Sequence, residues 1–145
     1  MIERRKDVLF FENEYCCFKP YDWTTIEGVR RPVTLKVVTD NYQSLGLRRN
    51  PNILTFSLGQ WVQLDEKSIK TGKGDWGGIW STLTISRARE LGEYMNSNYN
   101  INTNIFLTAL DKPLYANSYR VKSGGVMLLE EIKKLERLQK TRGNW

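Results

Sequence analysis

The chain contains no histidine, only two cysteines and no long apolar run. Histidine is the commonest general base and metal ligand in proteins, so its absence excludes serine–histidine and cysteine–histidine hydrolases, histidine nucleases and zinc sites that need histidine. Cys16 and Cys17 are neighbours, and neighbours in an extended segment point to opposite faces, which strains a disulfide between them. We therefore expect two reduced thiols, and we predict no metal site.

No stretch reaches the roughly 20 apolar residues that are needed to cross a bilayer. Residues 1–7 are mostly charged and lack the apolar segment of a signal peptide. We therefore expect a cytoplasmic protein, located in the host cytoplasm if a phage encodes it. No membrane partner is predicted.

What the chain does contain indicates a folded, basic protein. Its 145 residues suit a single domain with a real core, and a 12% aromatic content excludes a disordered chain. The net charge of +6 favours an acidic partner such as nucleic acid or an acidic protein.

The distribution of apolar runs predicts an α+β domain over residues 1–145, with a mainly antiparallel sheet of six to eight strands. Hairpin turns are predicted at residues 12–14, 58–60 and 111–113, a further turn at 123–125, a loop at 19–32, and strands at 33–39 and 79–85. The pattern does not decide whether the strands close into a barrel or form an open sheet.

Two helices are predicted. The first runs from about Arg87 to Met95 with Ser86 as its N-cap. The second covers residues 128–140, where leucine and isoleucine repeat at helical spacing and Glu130 and Lys134 are four residues apart.

Residues 72–80, Gly-Lys-Gly-Asp-Trp-Gly-Gly-Ile-Trp, form the most distinctive motif. A loop that cradles phosphate leads into a helix, whereas this one leads toward a strand, so we favour a structural turn over a phosphate site. The same loop presents Lys73 and Trp76 as candidate partner contacts, because ligands often meet loops held by a rigid scaffold.

Basic clusters are interspersed with aromatic residues elsewhere in the chain. Arg30 and Arg31 follow Trp23 in the predicted 19–32 loop, and Arg48 and Arg49 form a second pair. Arginine supplies phosphate contacts and tryptophan a surface for base stacking, so these residues are candidate nucleic-acid contacts.

The segment 78–89, followed by a strand and then residues 126–131, resembles parts of ADP-ribosyltransferase-type domains. The resemblance covers well under half of the chain. It implies an enzyme that uses NAD, with Ser81 and Thr82 on the strand that grips the cofactor and Glu131 polarising the nicotinamide ribose. The layout also resembles small uncharacterised proteins of phages and prophages, which implies an accessory or host-directed role.

Three hypotheses follow. The leading one is a small, basic, non-catalytic binding protein without a cofactor, a phage or mobile-element accessory or inhibitor protein that engages nucleic acid or a host nucleoprotein complex. The second is an NAD-dependent ADP-ribosyltransferase-like enzyme. The third is a scaffold protein that forms homo-oligomers through its C-terminal helix.

Overall fold

A computed structural model describes residues 10–13, 16–46, 53–74 and 76–132. Within these ranges the chain forms eight β-strands and one α-helix. The strands are β1 (Phe10–Asn13), β2 (Cys16–Phe18), β3 (Asp22–Ile26), β4 (Val29–Thr39), β5 (Trp61–Gln63), β6 (Ile79–Thr82), β7 (Thr103–Ala116) and β8 (Arg120–Glu131), and the helix is α1 (Ile85–Tyr99). All pairings between these strands are antiparallel, so the fold is α+β with a mainly antiparallel sheet.

Four of the strands form a closed hydrogen-bonded ring. β7 pairs with both β4 and β8, and β6 pairs with both β8 and β4. The link between β4 and β6 is a single pair, Leu35 with Thr82. β3 extends the sheet at β4 and β5 extends it at β8, while β1 and β2 form a separate hairpin.

Both faces of β4 are covered, which explains why residues 32–38 are all buried. Side chains alternate along a strand, so Leu35 and Val37 share one face, where they pack with Ala88 of α1. Val38 lies on the other face, in the larger core. That core comprises Phe18, Val38, Phe56, Ile79, Leu83, Phe106, Leu110, Val121, Val126 and Leu128.

The 19–32 segment is not the loop that the sequence predicts. β3 and the start of β4 form a hairpin, with Ile26 paired to Val29 across Glu27 and Gly28. Both turn residues have positive φ, 51° and 80°, which matches the right-handed twist of a two-residue hairpin. Glutamate is unusual in this conformation, so the sequence offers little warning of the turn.

The predicted N-terminal hairpin is present, since Phe10 of β1 pairs with Phe18 of β2, but Glu12 and Asn13 of its predicted turn belong to β1. The one predicted at 58–60 is wrong. β5 pairs with β8 instead, and the preceding segment returns to residues 42–44, where the Phe56 N–H donates to the Tyr42 carbonyl at 2.8 Å. Along this segment, Phe56 is buried in the larger core.

The long β7–β8 hairpin turns at residues 117–119, and the predicted turns at 111–113 and 123–125 both lie inside strands. Lys112 has φ of 53°, next to a register shift between Pro113 and Tyr115. The turn-like residues therefore mark a local irregularity of the strand and not its end. Gly125 leaves room for the Gln63 side chain, whose Cγ would lie 2.7 Å from an added Cβ.

Helix α1 begins earlier and ends later than predicted. Thr84, not Ser86, is the N-cap, and its hydroxyl accepts from the Arg87 N–H at 3.2 Å. Asn100 ends the helix in the left-handed conformation. The second predicted helix is wrong at its start, because residues 128–131 belong to β8, and its positions 133–140 lie outside the described residues. Among the described helices, none is long and apolar enough to cross a membrane.

Candidate functional site

The junction between β4 and β6, here called the seam, is held more by side chains than by backbone pairing. The Thr82 hydroxyl donates to the Leu35 carbonyl at 3.0 Å, and the Thr34 hydroxyl donates to Ser81 Oγ at 2.8 Å. The Lys36 ammonium donates to the Trp80 carbonyl at 2.5 Å. Polar side chains thus bridge two strands that share a single residue pair.

Lys36 is the most unusual residue of the seam, because only 8% of its surface is exposed. Burial lowers its pKa from 10.5 to about 8, since a charged ammonium loses its hydration there. Its Nζ lies 5.5 Å from the centre of the Phe56 ring. An ammonium has three N–H donors, and among the described residues it donates to one oxygen, that of Trp80.

A cavity of about 830 Å³ opens beside the seam. Its wall includes four charged side chains, Lys36, Asp65, Lys70 and Arg120. The other lining residues are uncharged, and most are apolar or aromatic: Val37, Ser44, Leu45, Gly46, Ile53, Leu54, Gln63, Leu64, Ser68, Trp76, Gly77, Gly78, Ile79, Trp80, Ser81, Thr82 and Leu91. The size and composition are those of a small-molecule site.

The glycine-rich loop forms part of this wall and is built over Lys122. The buried Lys122 ammonium donates to the carbonyls of Gly74 and Trp76 at 3.0 and 3.1 Å. A Cβ at Gly78 would lie 2.1 Å from Lys122 Cγ, and one at Gly77, where φ is 85°, would lie 2.6 Å from Lys70 Cβ. The adjacent glycines are therefore required by close packing. The described part of the loop leads into strand β6 and not into the helix that follows a phosphate cradle.

Two arginine–aromatic contacts lie at the end of β6. The Arg120 guanidinium carbon lies 3.8 Å from the centre of the Trp80 ring, and that of Arg87 lies 3.9 Å from the centre of the Tyr119 ring. Tyr119 is 52% exposed. Arg87 also forms an exposed ion pair with Glu90 at 3.0 Å.

The predicted Arg30–Arg31 cluster is divided between the two faces of β4. Arg30 is exposed, and its guanidinium carbon lies 4.3 Å from the centre of the Trp23 ring. Arg31 is half-buried, forms a 2.8 Å ion pair with Asp111, and lies 5.0 Å from the centre of the Trp61 ring. Arg30 is therefore the more exposed of the two arginines.

The remaining predicted contacts have different positions. Trp76 is 45% exposed and lines the cavity. Lys73 is exposed in the same loop. Arg48 and Arg49 lie outside the described residues.

The three residues implied by the ADP-ribosyltransferase resemblance do not line one cavity. Ser81 and Thr82 line the cavity at the seam, whereas Glu131 lines a second one of about 500 Å³ beside α1. Glu131 is in strand β8, not in a helix. The structure thus brings together two of the three positions.

Sequence reasoning missed Lys36, Arg87, Tyr119 and Arg120. A signal existed for Lys36, because it is the single charged residue in the run 33–39, which is otherwise apolar or threonine. The aromatic contacts of Arg87 and Arg120 had no signal, since they join residues far apart in sequence.

In the described part of the chain, no group of three or more Cys, Asp or Glu side chains is arranged to hold a metal ion. Comparison with protein-family models, curated proteins and solved structures finds no match for this chain. Its function must therefore be inferred from its own geometry.

Proposed function

We propose that this protein binds single-stranded nucleic acid without catalysing a reaction. The observation that carries the proposal is the pair of surface arginine–aromatic contacts, Arg30 with Trp23 and Arg87 with Tyr119. Arginine contributes charge toward phosphates, and aromatic rings stack on bases of any sequence. The net charge of +6 supports the same class of partner.

Strand pairing places both contacts along one edge of β4. Val33 pairs with β3 on one side and β7 on the other, and Leu35 pairs with β6 on one side and β7 on the other. Because β7 occupies the same edge throughout, β3 and β6 share the opposite edge. Trp23 lies on β3, and Tyr119 is tied to the end of β6 by the 3.0 Å hydrogen bond from the Leu83 N–H to its carbonyl.

The two contacts, here called the arginine–aromatic edge, thus share one edge of β4 but lie on opposite faces of the sheet, because Arg30 is on the face of Val38 and Arg87 is on the helix that packs against Leu35 and Val37. A flexible strand that contacts both must pass over this edge. Single-stranded nucleic acid fits this arrangement better than a duplex, because its bases are free to turn toward the rings. Arg31 is not part of the edge, because only 24% of its side chain is exposed, against 43% for Arg87, and Arg30 is also exposed.

The test is fluorescence anisotropy of a labelled oligothymidylate, titrated with the full chain at several salt concentrations. Arg30→Ala should weaken binding and reduce the slope of log K against log salt by about 0.7, the value for one phosphate contact on a single strand. Trp23→Leu should cost about 1–3 kcal/mol of binding free energy. Its salt slope should stay unchanged, because no charge is removed.

Lys67→Ala is the matched control, because it removes one exposed positive charge away from the arginine–aromatic edge. Its binding should stay close to that of the wild type. Thermal unfolding of each variant confirms that the fold is retained. Lack of saturable binding by the wild-type chain, or equal losses for Lys67→Ala and Arg30→Ala, contradicts the proposal.

A further inference from the structure

We infer that the cavity at the seam binds a small amphipathic organic anion, with a flat apolar body and one anionic group. This site is separate from the arginine–aromatic edge, because Trp23, Arg30, Arg87 and Tyr119 do not line the cavity. The inference therefore stands whether or not the protein binds nucleic acid.

The charges on the cavity wall select an anion. Lys36, Lys70 and Arg120 are basic, and Asp65 is the single acidic side chain among the described lining residues. Lys36 is buried, so its charge acts on a ligand more strongly than the same charge on an open surface.

Lys36 supplies the specific contact. It is more than nine-tenths buried, and it is anchored from one side by its hydrogen bond to the Trp80 carbonyl. Its remaining N–H donors can bind an anionic oxygen without moving the strand. A charge-assisted hydrogen bond to a buried ammonium is stronger than a neutral one, and an anion beside Lys36 also offsets the cost of burying its charge.

The apolar wall selects the body of the ligand. Leu45, Leu54 and Leu64 line the cavity together with the exposed ring of Trp76. Aromatic rings favour a flat partner that stacks against them. The volume of about 830 Å³ lies within the usual range of small-molecule sites.

Two related dyes test the inference directly. Anilinonaphthalene sulfonate has a flat apolar body with one anionic group, and N-phenylnaphthylamine has the same body without the charge. We expect the anionic dye to bind the full-length wild-type chain saturably at one site, with energy transfer from tryptophan. The neutral dye should bind at least about tenfold more weakly, the ratio for one charge-assisted hydrogen bond.

Lys36→Met keeps the length and apolar stem of the side chain but removes its charge. It should weaken the anionic dye about tenfold and leave the neutral dye unchanged. Lys70→Glu tests the same preference for an anion at an exposed residue of the cavity wall. Lys67→Glu is its control, because Lys67 is also exposed but does not line the cavity. Lys70→Glu should weaken the anionic dye, and Lys67→Glu should not.

Equal affinity for the two dyes in the wild type overturns the inference, as does unchanged affinity of the anionic dye in both Lys36→Met and Lys70→Glu. Retention of cooperative thermal unfolding shows that a loss comes from the site. If Lys36→Met does not fold, the comparison of Lys70→Glu with Lys67→Glu decides. Saturating oligothymidylate should not displace the dye, and displacement would overturn the separation of the two sites.

Discussion

The ring of strands is built very differently on its two sides. On one side, the β7–β8 ladder runs from Phe106 paired with Glu131 to Ala116 paired with Val121, and it contributes Leu110, Val126 and Leu128 to the larger core. On the other side, the seam has one backbone pair and is bridged by Thr34, Lys36 and Thr82.

The seam is the side of the ring that has room for a ligand. A continuous ladder satisfies the backbone groups of both strands and brings their side chains into close packing. At the seam the strands share one residue pair, polar side chains bridge them, and a cavity opens beside them. The less regular side is therefore the better candidate for binding.

The largest expected effect comes from the packed side. Leu110 is fully buried opposite Val126, so Leu110→Ala should lower the free energy of unfolding by about 2–5 kcal/mol through lost burial and a new cavity. Leu64→Ala makes the same change at a half-buried residue that already lines a cavity. Its cost should stay under about 2 kcal/mol. Urea unfolding of both variants measures the difference. Equal losses of unfolding free energy would show that the seam side is packed as closely as the β7–β8 side.

The next effect concerns the pH dependence of the seam. The folded chain holds Lys36 with a pKa of about 8, against 10.5 for an exposed lysine. Below about pH 8 both states carry the proton, and the folded state bears the full cost of the buried charge. As the pH rises toward 10.5 the folded state releases the proton first, so the free energy of unfolding should rise by roughly 3 kcal/mol from this group.

Lys36→Met removes this contribution. The other titratable groups are the same in both proteins, so their contributions cancel in the difference between wild type and variant. The difference in unfolding free energy between wild type and Lys36→Met should therefore change in favour of the wild type between pH 8 and 10.5. Denaturant unfolding at several pH values measures it. A constant difference would show that Lys36 titrates like an exposed lysine.

The smallest effect tests the hydrogen bond between Thr34 and Ser81, which are both buried. Thr34→Val or Ser81→Ala alone leaves a buried hydroxyl without this partner and should cost about 1–3 kcal/mol. The double variant should cost less than the sum of the two, because neither unpaired hydroxyl remains. An additive double-mutant cycle would show that the two hydroxyls do not interact.

Much of the fold could be predicted where local pattern and tertiary role agree. The β-branched run at 33–39 lies within β4, the strand predicted at 79–85 begins as β6, and α1 contains the predicted 87–95 helix. The predictions were wrong where residues typical of a turn lie inside a strand. Residues 111–113 have the composition of a turn, but β7 continues through them.

The candidate site was predictable only in part, for a related reason. Trp23 and Arg30 are neighbours across a hairpin, and the sequence placed both in one candidate surface. Arg31 was grouped with them because adjacency in sequence says nothing about which face a side chain occupies until the segment is known to be a strand.

The sequence by itself determined the basic charge, the absence of histidine chemistry, and a mainly antiparallel α+β fold, because these depend on composition and local periodicity. Only the tertiary structure decided that four strands close into a ring, that Lys36 is buried at the junction with the fewest residue pairs, and that a cavity opens beside it. Those features depend on which segments, distant in sequence, come into contact. Such contacts form only in the folded chain, so no local stretch of sequence encodes them.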